Sequence, residues 1–362
     1  MHDRTANSVG IALTAVILIV ASVGWPHRWV DPIVPDLDPV VASIVVIVFI
    51  GLLASRYSII SNRPAGLIAI VGGICLFACS LVTVVLPTGD GTTVLHPIPI
   101  MTVGLSALVV GFGSAEMIGL ERTHIISRVK STSVATVLGA GALMVGTLTP
   151  VLMLIVLLLV VGEISTEVLF IIGIVFFGVG LIGVSIWFLV VSGRGIAYLD
   201  LRWPSIRDIG YGIGGVIILV VVAMGVGFIF SMLNVPTADN TIEETARTEG
   251  AQLLLLAIPF AWLAIGLGEE LVFRGVIQRY LMETFSVPGA IIITSIIFSL
   301  VHIPAYFTPD PLALVSVLSL IFGLSLILGW TYVRTENLLV PIFIHGTYNA
   351  IVFLALYASL TA

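Results

Sequence analysis

Glu269, Glu270 and Arg274 share one short apolar stretch, Gly-Glu-Glu-Leu-Val-Phe-Arg-Gly. His302 follows in the next hydrophobic segment, and His345 with Asn349 in the last. A charged group at bilayer depth costs roughly 3 kcal/mol or more, so ionisable residues inside lipid-soluble sequence mark a functional site by default. Together they supply a carboxylate base, two imidazoles and an amide, the parts of a hydrolytic site. Each pairing also has a plainer meaning. Glu270 and Arg274 are i,i+4 neighbours and read as a structural ion pair, since opposed charges cost less to bury together than apart. Asn349, i,i+4 from His345, could serve as glue between helices. Phe298 stands one helical turn before His302.

The elements that must carry these residues are membrane helices. Of 362 residues, 59% are hydrophobic and 9% charged, against about 25% charged in soluble domains. Mean hydropathy is +1.22. The fold class expected is all-α: a polytopic integral membrane protein with about eleven transmembrane helices and a C-terminal four-helix catalytic core. The expected spans are 9–25, 40–54, 65–86, 98–119, 133–161, 167–192, 209–233, 251–284, 288–303, 311–332 and 338–358. Arg56 and Arg63, then Arg122, Arg128 and Lys130, then Arg194, Arg202 and Arg207 alternate with acidic loops at Asp31, Asp36 and Asp38, at Asp90, and at Glu163 and Glu167. Basic loops face the cytoplasm, so the chain is expected to be a multi-pass protein of the cell membrane with a cytoplasmic N-terminus. Glu116 is expected near the cytoplasmic end of the fourth span. A net charge of −6 leaves no basic patch for nucleic acid. Cys75 and Cys79, four apart without His or Cys neighbours, form no disulfide framework or metal site. The longest polar acidic stretch, 234–250, divides a multi-span region 1–240 of unassigned role from a catalytic domain 250–358.

Helical rise brings the polar residues together. Glu269 and Glu270 lie roughly sixteen residues before the turn at Ser286 to Pro288, and His302 about fifteen after it, which places both roughly 22–25 Å up an antiparallel pair. His345 and Asn349 stand about 13–20 Å beyond the turn near Glu336. One pocket below the lipid surface is therefore expected.

These motifs carry a resemblance. Glu269-Glu270-x-x-x-Arg274, then Phe298 to His302, then His345 to Asn349, each on its own apolar segment, resemble the CPBP intramembrane proteases. That family includes type II CAAX prenyl endopeptidases and bacteriocin-processing or immunity proteins. The similarity covers about residues 250–355. It implies an intramembrane endopeptidase in which Glu269 and His302 activate water, while His345 and Asn349 stabilise the oxyanion. Glu270, Arg274 and Phe298 would support the site. It further implies a prenylated or membrane-embedded peptide substrate, met within the lipid bilayer. No cofactor is fixed by the sequence: if a divalent metal such as zinc is present, Glu269, His302 and His345 are its ligands. A metal-free route needs only a carboxylate base. No HExxH zinc motif and no GxGD aspartyl motif occurs. Two other functions stay open: a non-catalytic immunity or scaffold protein of the same fold, and a proton-coupled transporter using the same residues. Lack of paired repeats with broken helices disfavours transport.

Overall fold

The computed structural model describes residues 5–24, 38–85 and 97–362. Asp31, Asp36 and Asp90, expected as loop acids, lie outside the described residues. The regular structure of the described residues is all helix, with no strand among them. Backbone polar groups in lipid must be satisfied within the segment, and the helix does so.

Eleven apolar helices occur among the described residues, in register with the eleven hydrophobic runs. They are α1 (Thr5–Gly24), α2 (Asp38–Arg56), α3 (Asn62–Val85), α4 (Pro97–Ile118), α5 (Arg122–Val161), α6 (Thr166–Val191) and α7 (Ile206–Met232), then, after a short polar helix α8 (Thr241–Glu249), α9 (Gln252–Met282), α10 (Val287–Leu300), α11 (Pro311–Thr335) and α12 (Leu339–Thr361). By length and composition, eight are able to cross a membrane. The described apolar stretches of α1, α2 and α10 are shorter.

Of the boundaries that differ from expectation, two have an evident local cause. Helix α5 has 40 residues, about 60 Å at 1.5 Å per residue, and it begins at Arg122 rather than at 133. Its basic residues Arg122, Arg128 and Lys130 therefore stand on helix and not in a loop. The cause is local. Gly119, at φ 68°, closes α4 with bonds from its own N–H to Glu116 and from Leu120 N–H to Ala115. This left-handed cap completes the turn within one residue, so the next helix starts at once. Helix α10 ends at Leu300, two residues before His302. Pro304 disfavours helical geometry in the residue before it and cannot itself continue the hydrogen-bond ladder.

The chain divides into two compact units, 1–129 with 309–312, and 130–308 with 313–362. In the first, α1 to α4 pack around Ile17, Val45, Leu52, Ala69, Leu76 and Val109. Glu116 lies near the end of α4, but it is also buried there, which its place near the helix end did not lead one to expect, and accepts from Ser55 Oγ at 2.8 Å and Asn7 Nδ2 at 3.3 Å.

The second unit holds the polar residues. Contacts fix the helix directions around α9. Arg274 bonds Ser325 and, four residues on, Gln278 bonds Gly329, so α11 runs parallel to α9. Glu270 meets His345, whereas Gly275, further along, meets Leu338, so α12 is antiparallel. Glycine sets the spacing. A Cβ at Gly178 of α6 would lie 2.7 Å from Ala264 Cα, and one at Gly346 of α12 would lie 2.4 Å from Trp262 Cδ1. Lipid supplies no hydrophobic drive between helices, so close backbone approach through small residues takes its place.

Gly178→Val therefore forces backbone apart and is expected to cost about 1–3 kcal/mol, measured as a lower Tm of the purified protein in detergent. An unchanged Tm would mean that α6 and α9 are not so tightly crossed.

Candidate active site

Helix α9 is not uniform. Pro259 removes a backbone donor and crowds the turn before it. From Ala261 the helix widens to π geometry over Ala261–Gly266 and again over Leu271–Gln278, with Glu269 and Glu270 on the ordinary turn between. Such segments are uncommon and concentrate at functional sites.

Consecutive residues on a helix point roughly 100° apart, and the two glutamates use this divergence to grip one imidazole. Glu270 Oε1 lies 2.8 Å from His345 Nδ1, and Glu269 Oε2 lies 3.9 Å from His345 Nε2. Glu269 Oε2 is also 3.8 Å from His302 Nε2. His302 sits on the turn after α10, and its Nδ1 donates to the Phe298 carbonyl at 2.6 Å. That carbonyl can only accept, so the proton of the neutral ring is on Nδ1 and the Nε2 lone pair faces Glu269. Glu269 and His345 are 7% and 8% exposed. Glu269 Oε2 has no hydrogen-bond partner among the described residues.

Beneath them Arg274 and Glu270 are wholly buried, at 0% exposure each. Arg274 Nη1 donates to Glu270 Oε1 at 2.9 Å, and Nη2 donates to Ser325 Oγ at 2.8 Å. The guanidinium also stacks over the Phe298 ring, 4.7 Å from its centre, a cation–π contact strengthened by the dry surroundings. Phe298 touches His302 at 4.6 Å and His345 at 6.0 Å between ring centres, with Phe273 edge-on at 4.9 Å. The ion pair, both imidazoles and the second carboxylate are thus assembled around one aromatic ring.

Of the residues singled out in the sequence, Glu269, Glu270, Arg274, Phe298, His302 and His345 come together. Asn349 does not join their hydrogen bonds. It stands one turn along α12 from His345, half-buried, and its amide makes no hydrogen bond among the described residues. Ser325, Gln278 and Thr294 were not singled out, although all three are buried beside this cluster or one turn from it.

A metal ligand set fits less well. Zinc at about 2.0–2.2 Å from tetrahedral donors holds those donors roughly 3.3–3.5 Å apart. Glu269 Oε2 stands wider than that from both Nε2 atoms, at 3.8 and 3.9 Å. Among the described residues no group of three or more His, Cys, Asp or Glu is placed to hold a metal ion.

The turn carrying His302 is held from outside by α8. Asn240 caps that helix, accepting from Glu243 N–H at 2.9 Å while donating to Tyr306 Oη at 3.3 Å, and Thr241 N–H donates to Ala305 O at 3.0 Å. Burial pushes the Tyr306 hydroxyl up, keeping it a neutral phenol. Burial likewise raises the Glu243 carboxyl, despite the opposing Asn240 N–H.

Residues 251–351 match the family model described as type II CAAX prenyl endopeptidase Rce1-like. This match supports the CAAX protease family for that segment. No curated protein matches the chain, and no solved structure does so.

Two outcomes are expected. Arg274→Met strands the Glu270 charge and lowers stability by about 3–5 kcal/mol, whereas Glu270→Gln combined with Arg274→Met recovers part of that loss; thermal unfolding of both variants checks it. Glu243, with a folded pKa above its unfolded one, favours the native state when protonated. Its penalty grows as pH rises through the folded value. Glu243→Gln keeps the capping geometry without the charge, so Tm should rise at neutral pH and the gain should vanish towards about pH 4.

Proposed function

We infer that the protein is an intramembrane endopeptidase that hydrolyses peptide bonds of lipidated or membrane-embedded substrates with water activated by Glu269 and His302. The observation carrying this reading is the 3.8 Å gap between Glu269 Oε2 and His302 Nε2, two atoms that are both acceptors when the ring is neutral. Two acceptors so placed repel unless a donor with two protons joins them, and a single water does so. As its oxygen attacks the scissile carbonyl, Glu269 takes one proton as general base and later delivers it to the leaving amine. The carbon–nitrogen bond breaks to a carboxylic acid and an amine, and the acid's proton, the second from the water, passes to the amine, leaving a carboxylate and an ammonium with no covalent acyl intermediate and no step assigned to a metal.

Charge on the tetrahedral intermediate needs donors. His345, its Nδ1 held by Glu270 at 2.8 Å, supplies an N–H from Nε2 in its protonated form. Asn349 supplies its uncommitted amide from the same helix face. Donors fixed in advance in a poorly solvated pocket stabilise such an oxyanion strongly. The CAAX-type family match over 251–351 supports the reaction class and a prenylated peptide as one substrate type. Loop charges support a multi-pass placement in the cell membrane with the N-terminus in the cytoplasm.

The test is peptide cleavage by purified protein in lipid. Glu269→Gln and His302→Ala should stay folded while kcat falls by about two to four orders of magnitude. Asn349→Ala should lower kcat by about 10²-fold at unchanged KM. Full activity in Glu269→Gln would reject the reaction; proton flux in liposomes lost with the same substitution would assign a transporter instead.

A further inference from the structure

From the ion pair to one helical turn past it, three buried polar atoms have no hydrogen-bond partner among the described residues, besides the Glu270 and Glu269 Oε2 atoms on the side of the histidines. Arg274 Nε, Gln278 Oε1 and Thr294 Oγ1 belong to side chains at 0%, 0% and 1% exposure. Buried polar groups are almost always hydrogen-bonded, so a local group of exceptions needs a cause. Their level in the bundle is shared. Arg274 faces Phe298 of the antiparallel α10, so Thr294, four residues before Phe298, falls beside Gln278, four residues after Arg274. Gln278 Nε2 donates to Gly329 O at 3.0 Å. This fixes the amide, because the reverse orientation would set two acceptors against each other. A Cβ at Gly329 would lie 2.7 Å from Gln278 Oε1, so glycine there is what admits the amide.

We propose that Arg274 Nε–H, Gln278 Oε1 and the Thr294 hydroxyl bound an internal water site, through which Gln278 holds the Arg274–Glu270–His345 chain in position. One donor, one acceptor and one hydroxyl of either sense suit a single water, which takes two to four such partners when buried. The water gives an acceptor to the one guanidinium nitrogen without one: Nη1 bonds Glu270, Nη2 bonds Ser325, and Nε bonds the water. Gln278 and Thr294 are positioning residues, acting on the reacting groups only through Arg274. This assignment of their role rests on the hydrolase reading; the existence of the site does not.

X-ray radiolytic labelling of the full-length protein in detergent tests it, because a bound water produces hydroxyl radical in place and oxidises side chains that bulk water cannot reach. Ile291 and Phe298, both buried, should be oxidised, and after rapid mixing with heavy-oxygen water the oxygen they carry should exchange slowly. Thr294→Val, of equal shape without the hydroxyl, should abolish the label, and Thr294→Ser should restore it. In peptide cleavage, Gln278→Leu should lower kcat about tenfold at unchanged KM, the scale of one hydrogen bond to a charged group. No label in the wild type, or an undiminished label in Thr294→Val, would overturn the site. An unchanged kcat in Gln278→Leu would overturn the positioning role. Label retained in a wild type without peptidase activity would support the water and count against the hydrolase.

Discussion

The second unit depends on one buried ion pair. A carboxylate and a guanidinium taken fully out of water are tolerable only when nearly every valence is used. Glu270 and Arg274 approach that demand by recruiting neighbours on three other helices, Ser325 of α11, the face of Phe298 of α10 and His345 of α12, while Glu270 Oε2 and Arg274 Nε find no hydrogen-bond partner among the described residues. Four helices are thereby tied at one depth by a contact that cannot be loosened in part. The same contact orients His345, and the rest of the polar group takes its geometry from that ring.

Around this centre the packing is close because the helices are lean. Gly178 and Gly346 bring α6 and α12 against the backbone of α9 near Ala264 and Trp262. Those contacts fall on the widened stretch before Glu269. A helix that is both wider and tightly flanked has little freedom to rotate, so the angle between the two carboxylates is set by backbone and not by side-chain choice. Charges in a membrane interior are best placed on such rigid elements.

Much of this was legible in the sequence, for physical reasons. Lipid leaves a chain little choice but helix, so the apolar runs could be read directly. Glu270 with Arg274, and Phe298 with His302, were visible as pairs because four residues make about one turn. What escaped notice was capping and partnership. Gly119 ends α4 within one residue, and Pro304 stops α10 before His302; only the cap geometry shows where each helix ends. Ser325, Gln278 and Thr294 were overlooked because polar side chains in an apolar helix commonly bond their own backbone. Nothing in their spacing tells which neighbour they face. Asn349 is grouped with His345 by its i,i+4 spacing and by the family motif; in the structure the imidazole bonds Glu270, while the amide makes no hydrogen bond among the described residues.

Helix α10 is only 14 residues long, about 21 Å, against a hydrocarbon layer of about 30 Å. Lipid beside it must therefore either thin, which brings headgroups and water to the turn bearing His302, or leave that turn within the hydrocarbon layer. The thickness of the surrounding leaflet consequently sets how wet that imidazole is, and with it the local dielectric between His302 and Glu269. In this fold, bilayer composition acts on the site as a tuning variable: the same protein carries a more strongly interacting carboxylate–imidazole pair in a thick membrane than in a thin one.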